Sequence, residues 1–166
     1  MKTKKLVITA LFIALSFIGA NIKIMNTIAL DSMPGFLGTL IFGPIYGALI
    51  GATGHFLTAV TSGFPYTLPV HLIIMLGMAV TMLVFGYIYR YFLTKNYVAA
   101  VILSLIAGVI INGPLLLIVL KPLLIPLLGE ATYITYFPIL SLTALLNIVI
   151  AQGIYKVLPE KYRQWK

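Results

Sequence analysis

The chain has no cysteine, so disulfides, thiolate metal sites and thiol nucleophiles are excluded. Charge is nearly as scarce. Asp31, Glu130 and Glu160 are the only three acids in 166 residues, and charged residues of both signs make up 8% of the chain against 61% hydrophobic ones. With a mean hydropathy of +1.12, this composition rules out an ordinary soluble domain and describes a polytopic membrane protein. There is no Gly-x-x-x-x-Gly-Lys-Ser/Thr loop for ATP, so any energy for turnover must come from elsewhere. A Gly-x-Ser-x-Gly elbow and a His-Glu-x-x-His element are missing too, which counts against an intramembrane hydrolase. His55 and His71 are the two histidines; 16 residues apart and without a Glu-x-x-His partner, they match no compact metal spacing, and neither metal nor cofactor is expected. No repeat, linker or low-complexity stretch divides residues 1–166, which read as one domain.

What the chain does have is long apolar runs and a formal net charge of +8. Four spans of roughly 20 residues, the length a bilayer-crossing helix needs, stand out: Leu6 to Ile22, Val70 to Tyr89, Tyr97 to Leu120 and Phe137 to Leu158. The first resembles a secretory signal behind Lys2, Lys4 and Lys5. It reads as a retained helix, because the apolar stretch continues into Asn21, Ile22 and Lys23 without a small-x-small cleavage site.

The stretch from Met33 to Val60 is too long for one helix and too short for two full ones. Charge decides its reading. If it crosses twice, turning at Gly43 and Pro44, one side holds Lys2, Lys4, Lys5, Arg90, Lys95, Lys156, Lys161, Arg163 and Lys166, and the other holds only Lys23 and Lys121. A single crossing scatters these charges across both sides, so the positive-inside rule selects six spans with both termini cytoplasmic. Two helices of about 15 residues would reach only about 22 Å of a hydrocarbon core about 30 Å thick. Their outer ends should therefore lie below the surface and leave a polar recess, with residues 21–34 above it as a lid and Gly63-Phe64-Pro65 as the opposite rim.

Polar residues inside a membrane usually mark a pathway or a site. Those near the outer mouth are Asn21, Lys23, Asn26, Asp31, Ser32, His55, Tyr66 and His71, with Asn112 and Asn147 from later helices. Each has a plain alternative. Asp31 could cap the helix beginning at Met33, His55 could be a packing residue between Gly51 and Gly54, and Asn147 could be an interhelical hydrogen bond. Asn112-Gly113-Pro114 is expected to break its helix, and Lys121 and Glu130 to bracket a proline-rich outer loop. Phe64, Tyr66, Tyr133, Tyr136 and Phe137 fit an interfacial aromatic belt. Ala10 and Ala14 form a small-xxx-small pair that serves either a partner helix or packing inside the bundle.

The basic N-terminus, the Ala10-Leu11-Phe12-Ile13-Ala14 segment, the long outer loop, the short paired helices and the basic C-terminal end together resemble the substrate-binding S components of energy-coupling factor (ECF) transporters. The resemblance implies an all-α, six-helix subunit of the bacterial cell membrane that captures a vitamin outside and is not itself an enzyme. It also implies one coupling transmembrane subunit and two ATPase subunits as partners, with Ala10 and Ala14 docking onto the former. Residues 29–34, Gly54-His55, Gly63-Phe64-Pro65 and residues 71–75 are similar to the α-ribazole transporters, which salvage a cobalamin precursor. On that likeness Asp31, His55 and His71, with Asn26, Tyr66 and Asn147, are the expected binding positions. The outer side carries no Arg to clamp a polyanionic vitamin; a flat, nearly neutral heterocycle with ribose hydroxyls suits these residues better. An S component for another vitamin such as cobalamin, and a channel or intramembrane enzyme outside the ECF family, are the competing readings.

Overall fold

The computed structural model describes residues 2–21, 23–24 and 28–163, and it is helical nearly throughout. Helix α1 (Lys2–Asn21) leads into a two-residue antiparallel pairing of β1 (Lys23–Ile24) with β2 (Ile28–Ala29), Lys23 opposite Ala29. The returning chain rests on the helix it left, because Leu30 N–H donates to Gly19 O at 3.1 Å.

Helices α2 (Met33–Phe42) and α3 (Pro44–Thr61) form a hairpin that turns at Gly43-Pro44, where expected. Gly43 has φ +108°, which glycine adopts without steric cost, and Pro44 is preset for the first turn of the next helix. The two helices are antiparallel: Gly47 faces Thr39 and Gly51 faces Gly35, pairs placed symmetrically about the turn. A Cβ on Gly47 would overlap Thr39 Oγ1, so the approach depends on glycine there. The lengths differ from the expected pair of about 15 residues each: α2 has 10 and α3 has 18. Helix α2 is short because it is internal. Every residue from Pro34 to Leu40 is buried, and α1, α3, α4 and α7 surround it, the arrangement expected of a helix that is apolar on all sides.

Helix α4 (Leu68–Leu93) extends beyond both ends of its predicted span, and α5 (Tyr97–Ile110) starts behind an Asn96 cap that accepts from Ala99 N–H at 3.0 Å. The predicted break at Asn112-Gly113-Pro114 does not occur. The chain passes through a π-turn, Ile111–Leu115, and continues as α6 (Leu116–Leu128). A π-turn adds a residue to the helical ladder, which makes room for the ring of Pro114 and its missing N–H. The predicted outer loop between Lys121 and Glu130 is likewise mostly helix: Pro122 and Pro126 lie within α6, and Gly129, at φ +76°, is the joint to α7 (Glu130–Val157). A 3₁₀ turn, Glu160–Tyr162, follows. Three rods, residues 68–93, 97–128 and 130–157, are long and apolar enough to cross a membrane.

The core gathers Phe36 and Leu40 of α2, Met82 and Phe85 of α4 and Ile148 of α7, all at most 1% exposed. Phe36 and Phe85 meet edge to face with centroids 5.0 Å apart. Asn147, fully buried beside Ile148, is the amide among the buried polar residues. Its Oδ1 accepts from Met33 N–H at 2.7 Å, while Nδ2 donates to Ala29 O and Thr143 O, both at 2.9 Å. An amide on α7 thus caps α2 from outside and holds β2 in place. Replacing Asn147 with Leu leaves Met33 N–H and Ala29 O buried and unpaired, at roughly 1–3 kcal/mol each. Thermal unfolding of the detergent-solubilised variant should show a clearly lowered Tm; an unchanged Tm would remove this role.

Candidate binding site

Asp31 and Ser32 lie between β2 and α2, and the local backbone decides which way they point. Ser16 Oγ on α1 donates to Asp31 O, and Gly54 of α3 allows this contact because a Cβ there would run into Ser16. The Ser32 side chain makes no cap to α2, and Met33 N–H, the group within reach of an Asp31 cap, is taken by Asn147. The Asp31 carboxylate is left facing α3, with Oδ2 4.0 Å from His55 Nδ1.

His55 is one member of a relay. Its Nε2 lies 3.2 Å from His71 Nδ1, and His71 Nε2 lies 2.7 Å from Pro65 O. A carbonyl only accepts, so His71 carries its proton on Nε2 and accepts on Nδ1, and His55 must donate from Nε2. In the neutral imidazole this leaves His55 Nδ1 as an acceptor beside the Asp31 carboxylate. At 4.0 Å the two are beyond direct hydrogen bonding, and both call for a donor. His71, buried and stacked on His55 with centroids 5.3 Å apart, orients its neighbour from behind.

Asp31, Ser32 and His55 form one wall of a cavity of about 170 Å³. The opposite walls are apolar: Ile74 and Met78 of α4, Leu116 and Leu120 of α6, Leu140 and Ala144 of α7. Asn112, on the π-turn, and Thr143 complete the lining. The Thr143 hydroxyl donates within its own helix to Ile139 O at 2.8 Å, whereas the Asn112 side chain has no hydrogen-bond partner among the described residues. Engineered apolar cavities of about 150 Å³ hold a benzene ring, so this one has room for an aromatic ring. It offers two acceptors at one side and an amide elsewhere. Among the described residues, no group of three or more metal-ligating side chains converges.

The expected binding residues therefore divide. Asp31 and His55 line the cavity, and His71 stands one contact behind. Asn147 is fully engaged in holding β2 and α2, the interhelical role the sequence allowed as its alternative. Tyr66 is half exposed and outside the cavity lining; its hydroxyl lies 2.9 Å from that of Tyr136 on α7. Asn26 lies outside the described residues. The apolar walls were not anticipated, because Ile74 and Met78, or Leu116 and Leu120, four apart on a helix, look the same whether they face a core or a ligand. Asn112 did carry a signal, a polar residue two before a mid-helix proline, and the resemblance offered nothing further for it.

Two neighbouring features also depart from expectation. Tyr133 does not belong to an interfacial belt: it is 4% exposed and its hydroxyl donates to Leu117 O at 3.0 Å. Ala10 and Ala14 are exposed, on a face of α1 shared with Leu11, Leu15 and Ile18, so they do not pack inside the bundle.

A helical membrane protein with a small, one-sidedly polar cavity between its rods is the class that fold and site define. The chain belongs to the family of ECF transporter substrate-specific components, whose pattern it matches over residues 4–159. No curated protein and no solved structure matches it. Members of the family are membrane subunits that bind a small-molecule substrate, are not enzymes themselves, and work with ECF transmembrane and ATPase subunits.

The loop joining α3 to α4 forms a clasp beside the site. Phe64 at φ +52° and Tyr66 at φ +75° occupy the left-handed region, which costs non-glycine residues of order 1–3 kcal/mol each. Phe64 N–H to Ala59 O, His71 to Pro65 O and Tyr66 to Tyr136 hold it. The Tyr136 hydrogen bond, helped by burial, pushes the Tyr66 phenol from 10.0 up to about 12. A raised phenol pKa means that the clasp is fully present below pH 10 and is lost as pH rises through about 12. In an ultraviolet difference titration of wild type against Tyr66→Phe, the missing phenol should ionise near 12; ionisation near 10 would show that the clasp does not form.

Proposed function

We propose that this chain is a single six-helix domain of the bacterial cell membrane that captures α-ribazole from outside and delivers it with a coupling subunit and two ATPase subunits. All six rods cross in this reading, α2 and α3 as a short pair, with both termini cytoplasmic. Nine of the eleven Lys and Arg then lie inside, as counted above. One observation carries the substrate class: the Asp31 carboxylate and the His55 ring Nδ1 face a ring-sized cavity whose opposite walls are apolar. A neutral benzimidazole with ribose hydroxyls places its ring against Met78, Ile74 and Leu116 and its O–H donors toward Asp31 and His55. The free amide of Asn112 meets the polar atoms that remain. Cobalamin fits this cavity far less well, since a corrinoid dwarfs about 170 Å³.

A whole nucleoside also exceeds a ring-sized space, so its ribose must displace part of the roof. The half-exposed Tyr66–Tyr136 clasp is the part that would move in this reading, and its closure over bound ligand would bury it. The exposed Ala10–Ala14 face of α1 is the docking surface for the coupling subunit in this reading, consistent with its lack of partners within the bundle.

Mass spectrometry of the denatured, purified protein should release a stoichiometric heterocyclic riboside; a different vitamin would reassign the substrate, and no affinity for any vitamin in a panel would refute capture. By titration calorimetry, Asp31→Asn should weaken α-ribazole about 10- to 100-fold, the loss expected for a hydrogen bond to a charged group, and His55→Ala about 3- to 10-fold, that expected for a neutral one. Unchanged affinity in both would remove the site. Ala10→Trp with Ala14→Trp should leave affinity intact and abolish uptake in cells, and normal uptake would overturn the docking role.

A further inference from the structure

A second cavity, of about 250 Å³, lies between the start of α5 and the end of α7, lined by Tyr97, Val98, Val101, Gln152, Gly153 and Lys156. It is at the opposite end of these helices from the Asn112 cavity wall. Gly153 is not there to let helices touch, because a Cβ built on it would meet no atom within 4 Å. The two helices are joined instead by Gln152, whose Nε2 donates to Val101 O at 3.1 Å and to Ser104 Oγ at 3.2 Å. Those bonds align Val101 with Gln152 and Gly153, and put Tyr97 and Lys156 about one turn, roughly 6 Å, nearer the end of the bundle.

The groove therefore has a polarity gradient along the helix axes. An ammonium and a phenol stand nearest the end of the bundle, and Val98, Val101 and the exposed flank of Gly153 form an apolar, outward-open stretch beyond them. The Gln152 amide N–H groups are already used between the helices. No carboxylate lines it. The surrounding end of the molecule is basic on balance: Arg90 closes α4, Lys95 lies in the turn to α5, and Lys161 and Arg163 follow α7 together with one acid, Glu160. The Arg163 Nε–H is buried and finds no acceptor among the described residues.

We propose that this groove binds one anionic phospholipid, its headgroup phosphate at Lys156 and the rim and one acyl chain along Val98, Val101 and Gly153. Charge complementarity selects the lipid: basic residues between membrane helices attract anionic headgroups, whereas a zwitterionic headgroup presents no net charge to Lys156. The apolar stretch distinguishes this occupant from a free phosphate, which would leave the valine wall uncovered. The site is separate from the Asp31–His55 cavity and does not depend on its substrate.

The test is competitive retention. Full-length protein is exchanged from detergent into an equimolar mixture of phosphatidylglycerol and phosphatidylcholine of matched chains, and retained lipid is counted by native mass spectrometry. Wild type should keep one phosphatidylglycerol in preference to phosphatidylcholine. Lys156→Gln should reduce that preference about five-fold, the factor expected for one basic residue at an anionic surface. Gly153→Leu, whose Cβ enters open space and whose longer side chain occupies the groove, should retain neither lipid while its Tm stays at the wild-type value. Equal retention of the two lipids by wild type, retention of neither, or wild-type retention by Gly153→Leu would each overturn the proposal. Should Gly153→Leu unfold, the Lys156→Gln preference decides alone, because that side chain is exposed and its replacement keeps the fold.

Discussion

A helix that is apolar on every side can be buried completely, but its first N–H groups still need acceptors, and for α2 the acceptor comes from another helix. Asn147 supplies it from the middle of α7 and uses the other end of the same amide to hold Ala29. An unpaired buried amide is costly, so these bonds define where the connection from α1 ends and where α2 starts. The direction of the Asp31 side chain follows. With Met33 N–H satisfied by Asn147, the carboxylate has no helix to cap and turns toward His55.

Around that carboxylate the structure separates groups that position from groups that face the cavity. His71 is held by Pro65 O and in turn accepts from His55 Nε2, so a backbone carbonyl in the α3–α4 loop fixes which His55 nitrogen faces Asp31. That loop is itself strained at Phe64 and Tyr66 and tied to α7 through Tyr136. Strain of this kind persists only where surrounding contacts hold it. The loop thus links Tyr136 of α7 to the chemistry of the imidazole, while glycines at positions 35, 47, 51 and 54 bring α1, α2 and α3 close enough for Ser16 to hold Asp31 O and for Asp31, Ser32 and His55 to share one wall.

Much of this arrangement is legible in the residue order. Gly43-Pro44 marks the hairpin because a positive φ followed by a preset helix start has few other sequences, and the asymmetry of Lys and Arg required a turn there. Asp31, His55 and His71 stand out as polar residues in apolar surroundings. The proline signals misled. Pro114, Pro122 and Pro126 argue locally for a break and a loop, yet helix persists through all three. The π-turn absorbs the first, and packing of Leu117, Leu120 and Leu124 against Val70 and Tyr133 holds the other two. Helix lengths in the hairpin were also missed, because apolar content does not reveal whether a segment faces lipid or protein.

The chain alone determined that this is a membrane protein, where it turns, and which few polar groups must be paired or used, since composition, charge asymmetry and special backbone residues act locally or additively. Tertiary structure decided the assignment among those groups. From position in sequence Asp31 reads as cap or ligand contact and Asn147 as interhelical hydrogen bond or ligand contact, and only the crossing of α7 over the start of α2, 114 residues away along the chain, gave Met33 N–H to Asn147 and left the Asp31 carboxylate facing His55.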